Sequence, residues 1–156
     1  MDDIQIPILD LRLQYQTIQT EIQQAIDRVL NSGRFILGEE VANFEQAVAN
    51  YLGVQHAIAV NSGTDALIIS LRCLGIGKGD EVITTPFSFF ATAEAISRVG
   101  ATPIFVDVEP ETFNINARKI VEKITSRTRA ILPVHLFGNP APMGQILDIA
   151  NAYNLK

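Results

Sequence analysis

Apolar residues recur every three to four positions at the start of the chain, and then the rhythm changes. Tyr15, Ile18, Ile22, Ile26 and Val29 fall on one helical face, which Gly33 can terminate. Val41, Phe44, Val48 and Leu52 mark a second amphipathic helix that stops at Gly53. From His56 onward, short apolar runs alternate with helical stretches. The runs at residues 56–61, 81–85, 102–106 and 129–134 predict strands, and the stretches at 64–74, 90–99, 117–124 and 143–153 predict helices. Gly75, Gly100, Pro110 and Pro140 punctuate them, and Leu155-Lys156 reads as the approach to a fifth strand.

This alternation predicts an α/β fold: a mainly parallel sheet with helices on both faces, preceded by two N-terminal helices. The expected division is a helical segment over residues 1–54 and an α/β domain over residues 55–156, cut short before its fifth strand. Right-handed crossovers would bring the carboxyl ends of all strands to one edge, where open α/β folds bind ligands. Four loops fall there: Asn61-Ser62-Gly63-Thr64-Asp65, Pro86-Phe87-Ser88-Phe89, Asp107-Val108-Glu109 and His135-Leu136-Phe137-Gly138.

Composition narrows the picture. Apolar residues make up 47% and charged residues 19%, the latter below the ~25% of an average globular chain. That bias suits strands buried on both faces, or a surface covered by something else. The net charge of −5, with no basic run or basic-aromatic patch, argues against nucleic acid as a partner. No apolar run reaches the ~18 residues of a membrane span. The start, Met1-Asp2-Asp3-Ile4-Gln5, has neither the basic nor the apolar region of a leader. The single cysteine, Cys73, forms no internal disulfide, and its neighbours Leu71 and Leu74 read it as a small packed side chain. A cytoplasmic location is the expectation.

Chemistry concentrates in the loops. Asn61-Ser62-Gly63-Thr64-Asp65 joins a strand directly to a helix. Its free amides and hydroxyls suit a phosphate at the positive end of the helix dipole, but Ser or Thr before a helix is also ordinary capping. The segment lacks the Gly-Lys-Ser/Thr ending of a P-loop, and the Gly75-Ile76-Gly77-Lys78-Gly79-Asp80 stretch follows a helix, so it reads as a turn. Among Phe87, Phe89 and Phe90, core packing is the default for Phe87 or Phe90, while one ring turned into the crevice would offer a stacking surface. The Asp107–Asn114 stretch matches no calcium loop. His56 and His135 have no ligand-spaced partners, so no zinc site and no catalytic triad follow. His135, just past a strand, can line the crevice, whereas His56, preceding one, reads as structural.

Taken in order, these segments resemble the DegT/StrS group of nucleotide-sugar aminotransferases, which have the large-domain fold of fold-type-I pyridoxal-phosphate enzymes. The resemblance runs through Ile8-Leu9-Asp10-Leu11, Gly33-Arg34-Phe35-Ile36-Leu37-Gly38, Asn61-Ser62-Gly63-Thr64-Asp65-Ala66-Leu67 and Gly79-Asp80-Glu81-Val82-Ile83. It continues through Phe87-Ser88-Phe89-Phe90-Ala91-Thr92-Ala93-Glu94, Phe105-Val106-Asp107-Val108 and Pro133-Val134-His135-Leu136-Phe137-Gly138. It departs at Asn139, where glutamine is usual, and at Pro142, where aspartate is usual. The resemblance implies that pyridoxal 5'-phosphate is the cofactor, with its phosphate at Ser62, Gly63, Thr64 and Asp65 and its ring stacked on Phe89. Phe35 would lie near the substrate entrance, and His135 is carried as a second substrate-side residue. An amino-acid donor such as glutamate, a nucleotide-linked keto sugar as acceptor and a homodimer are implied likewise. The Phe35-Ile36-Leu37-Gly38 neighbourhood leans towards members acting on 3-keto sugars.

In the family, an aspartate for the pyridine nitrogen, a nearby glutamine and the Schiff-base lysine come further along. Lys78, Lys119, Lys123 and Lys156 do not match that lysine, so no catalytic residue is assigned here. The expectation is a fragment, inactive alone and prone to aggregate through an uncovered sheet edge. Two alternatives stay open: a dehydratase of the same family, in which histidine replaces the lysine, and a non-catalytic module that binds a partner chain.

Overall fold

Three parallel strands, in the order β2-β1-β3, organise the larger part of the chain. The computed structural model describes residues 7–156, so the start at residues 1–5, read above for leader features, lies outside the described residues. The chain forms two compact units, one ending at Ala59 and the other running Val60–Lys156.

In the first unit, α1 (Leu11–Ser32) and α2 (Glu39–Leu52) match the two amphipathic patterns. Asp10 caps α1 by accepting from Arg12 N, and Gly33 ends it at φ 65°. Gly53 ends α2 at φ 66°, a backbone region that glycine enters without strain. Arg28 Nε donates to Glu40 Oε1 at 2.7 Å and ties the helices together. Residues 56–61 form no strand among the described residues. His56, Ile58 and Val60 are exposed, Ala57 and Ala59 half-buried, and the Ala59 amide donates to Glu45 Oε1 at 2.7 Å. The alternation is that of a strand, but a strand exists only through a neighbour's backbone. His56 therefore precedes no strand and is exposed.

In the second unit, α3 (Gly63–Cys73), β1 (Glu81–Thr84), α4 (Ala91–Arg98), β2 (Thr102–Phe105), α5 (Ala117–Ile120), β3 (Thr128–Ile131) and α6 (Met143–Tyr153) follow in order. β1 pairs in parallel with both other strands. Side-chain alternation divides the core. Val82 and Ala130 pack with Leu71, Ile76, Ala95 and Ile96 under α3 and α4. Ile83 and Ile131 pack with Ile120, Ile146 and Ala150 under α5 and α6. Helices thus cover both faces, as the pattern predicts. Pro103 sits in β2, an edge strand, where a missing amide is tolerated. The expected 117–124 helix is one α turn that tightens to a 3-10 turn over Val121–Lys123. Ile131 N donates to Lys156 O and Lys156 N to Arg129 O, both at 2.9 Å, so Lys156 pairs in parallel fashion with the outer side of β3. Cys73 departs from expectation: it closes α3 on the exposed side of the helix.

Candidate functional site

α3 and α4 pack against each other over the same face of the sheet. Their carboxyl ends lie together, because a Cβ built on Gly77 would stand 3.6 Å from Val99 O, and one on Gly100 would stand 3.4 Å from Lys78 N. Thr102 N donates to Asp80 O at 2.9 Å where both chains enter the sheet. Two packed helices with adjacent carboxyl ends run parallel, and at a rise of ~1.5 Å per residue their starts also share one end. Ser62-Gly63-Thr64 and Phe89-Phe90 are therefore brought to the same edge, the carboxyl edge of β1.

At the start of α3, Ser62 Oγ accepts from Asp65 N at 3.0 Å and donates to Asp65 Oδ2 at 2.9 Å. The capping alternative thus holds for the Ser62 side chain itself. Ala66 N reaches Ser62 O at 3.0 Å, while the amides of Gly63 and Thr64 have no acceptor among the described residues. They are two of the unsatisfied donors that open any helix. A Cβ on Gly63 would meet nothing within 4 Å, so the space beside Gly63 at the start of the helix is open. These residues fit a phosphate.

The turn after β1 is held from within. Thr85 Oγ1 accepts from Phe87 N at 3.2 Å, and the Ser88 and Thr92 hydroxyls share a hydrogen bond of 2.7 Å. Phe89 is 78% exposed and borders a 350 Å³ depression with Pro86, Ser88, Thr92, Ala93 and Phe105. A largely exposed aromatic ring beside an open depression fits a planar ring. The core-packing default fails for both neighbours. Phe90 is 73% exposed, and Phe87 instead leans on Phe113 with ring centroids 5.5 Å apart.

His135 follows β3 on the same edge and is exposed. Its Nδ1 accepts from Ala141 N at 2.9 Å. Asn114, which the sequence offers only as one polar residue in a loop, is 3% exposed and donates from Nδ2 to Pro140 O at 3.0 Å. Its chain neighbour Phe113 adopts φ 57°, a region bulky residues rarely enter. Phe35 belongs to the helical unit, where it is exposed on the rim of a 280 Å³ cavity beside Arg28, Ser32, Arg34 and Glu40. No group of three or more His, Cys, Asp or Glu side chains suited to a metal occurs among the described residues, nor does a helix long and apolar enough to cross a membrane.

Comparison with known proteins decides the lineage. Residues 16–156 match the DegT/DnrJ/EryC1/StrS aminotransferase family. The chain belongs to that family. It is 50% identical over 97% of its length to the dTDP-3-amino-3,6-dideoxy-alpha-D-galactopyranose transaminase of Aneurinibacillus thermoaerophilus, of which it covers 42%. Its fold superposes on Streptomyces venezuelae DesV with a TM-score of 0.93 and 44% identity, covering 96% of this chain and 40% of DesV. Bacillus subtilis NtdA, solved with bound pyridoxamine phosphate, gives a TM-score of 0.90 at 39% identity, covering 100% of this chain and 37% of NtdA. This family member thus spans about two fifths of the length of the relatives it matches, and its described fold is the corresponding part of theirs.

Proposed function

We propose that the polypeptide carrying this chain is a pyridoxal-phosphate-dependent aminotransferase that moves an amino group, from glutamate or a similar donor, to a keto group on a nucleotide-linked sugar. Family membership, the transaminase relatives and the cofactor named with NtdA support the reading. The observation that carries it is the pair of open amides at Gly63 and Thr64, on the same edge of the sheet as the bare face of Phe89.

When bound, the cofactor supplies an electron sink for the carbon that gains or loses the amino group. The chain's residues supply position. Gly63 and Thr64 donate amide hydrogens to the phosphate, with the α3 dipole adding ~0.3–1 kcal/mol. Ser62 and Asp65 lock the turn by their mutual hydrogen bonds, and Phe89 floors the ring. Phe35 and His135 belong to the substrate side. The same reading makes the intact protein a cytoplasmic homodimer, and makes the 156-residue chain inactive by itself.

The test is titration of the polypeptide, at its full natural length, with pyridoxamine 5'-phosphate. That ligand forms no Schiff base with surface lysines, so it reports the pocket alone. Saturable binding that weakens in Gly63→Ala is expected, and the absence of saturable binding overturns the reading.

A further inference from the structure

The peptide joining Pro140 to Ala141 is gripped from both sides. Its carbonyl accepts from Asn114 Nδ2 at 3.0 Å, and its N–H donates to His135 Nδ1 at 2.9 Å. In a trans peptide these two groups point in opposite directions, so the hydrogen bonds run in series from Asn114 through the peptide into the imidazole. Bonds in series polarise one another. A backbone amide can only donate, so Nδ1 carries the lone pair and the proton of the neutral ring sits on Nε2.

Asn114 cannot turn its amide over. Doing so would set Oδ1 against the Pro140 oxygen, two acceptors face to face. Its Oδ1 is already a buried atom without a hydrogen-bond partner among the described residues. His135 is exposed, and its Nε2 has no acceptor among the described residues. The clamp is continuous with the loop that carries Phe89. Phe87 leans on Phe113, beside Asn114. Asn139 Nδ2 donates to Thr112 O at 3.2 Å, and Thr84 Oγ1 donates to Leu132 O at 2.8 Å, joining the ends of β1 and β3.

We infer that His135 presents Nε2–H as a fixed hydrogen-bond donor to an oxygen of the ligand held over Phe89, and that Asn114 is its positioning residue. The inference rests on the cofactor reading above. The acceptor is an oxygen with a free lone pair, carried either by the cofactor ring or by the sugar substrate.

Nitrogen-15 spectra of the histidine side chains test it in the polypeptide at its full natural length, with the His135 signals assigned by their loss in His135→Gln. The neutral imidazole of the free protein is expected to show a proton-bearing Nε2 and a bare Nδ1. Asn114→Ser, verified as folded by its melting transition, is expected to mix the two tautomers, which a purely structural role for Asn114 would not do. Retention of a pure Nε2–H form in Asn114→Ser removes its positioning role.

Pyridoxamine 5'-phosphate is added next, then dTDP-glucose or UDP-N-acetylglucosamine. Movement of the Nε2 signal at the first addition places the acceptor on the cofactor, and movement only at the second places it on the sugar nucleotide. In either case His135→Phe should weaken binding of the responding ligand about tenfold. Saturable cofactor binding with no His135 response at either step, or an Nδ1–H tautomer, overturns this inference alone. Failure of pyridoxamine 5'-phosphate to bind removes the cofactor reading and this inference with it.

Discussion

Arg127 Nε lies 2.9 Å from Glu81 Oε1, at the edge of the sheet opposite Ser62 and Phe89. Glu81 is the first residue of β1, 3% exposed, and its second oxygen accepts from the hydroxyl of Thr125. The β1–β3 register slips between Glu81 and Val82, so these side-chain bonds hold the strands together where the ladder is irregular. The Thr125 hydroxyl first, and the Arg127 guanidinium second, hold the Glu81 carboxyl below its ordinary value. A depressed carboxylate stabilises the fold fully above its unfolded value, ~4.3. That contribution is lost as pH falls through the lower folded value. Glu81→Gln should therefore cost about 1–3 kcal/mol near neutral pH and flatten the acid limb of the stability curve. Urea melts at pH 3 to 7 measure both, and an acid limb as steep as the parent's would refute the assignment.

Ser62 answers to a different measurement, because its hydroxyl is bonded to Asp65 on both counts. Ser62→Ala should lower stability by about 1 kcal/mol, and Ser62→Gly by only a few tenths, as for other N-caps. Equal melting temperatures for all three proteins would show that the cap is not formed.

Gly63 separates folding from binding. Its side-chain direction is open, and no positive φ is needed there. Gly63→Ala should leave stability unchanged or raise it by up to about 1 kcal/mol through helix propensity. The same methyl occupies the approach to the two free amides, so pyridoxamine 5'-phosphate binding should weaken about tenfold, ~1.4 kcal/mol. Loss of both stability and binding would mean that Gly63 is structural.

Local rules made the helices legible. The 143–153 stretch is the span of α6, and Gly33 and Gly53 stand at the ends of α1 and α2. The order of strands and helices followed from the alternation of periods. What could not be read depended on partners distant in the chain. Residues 56–61 alternate like a strand but find no neighbour among the described residues. Cys73 sits at the last position of a helix whose Leu71 is buried, and rotation by two residues carries it to the outside. Phe87 or Phe90 was expected in the core, but Phe90 is 73% exposed and borders the same depression as Phe89. At the candidate site, the Ser-Gly-Thr-Asp junction and Phe89 were visible as motifs. The hold of Asn114 on Pro140 spans 26 positions, and no local pattern announces it.

Phe87 and Phe89 stand two positions apart on one turn and should give opposite phenotypes. Phe87 touches Phe113, so Phe87→Ala removes an aromatic pair worth about 0.5–1.5 kcal/mol beyond its buried area. The melting temperature should fall, with cofactor affinity nearly kept. Phe89 touches little of the protein, and Phe89→Ala should change stability by less than about 0.5 kcal/mol, as exposed substitutions do. Its lost stacking face should weaken pyridoxamine 5'-phosphate binding about three- to tenfold, the fold-change that corresponds to a stacking contact of ~0.7–1.4 kcal/mol. Paired melts and titrations of both variants decide the matter. If Phe87→Ala loses more affinity than Phe89→Ala while both remain folded, the ring floor has been assigned to the wrong phenylalanine, and the cleft must be redrawn around Phe87 and Phe113.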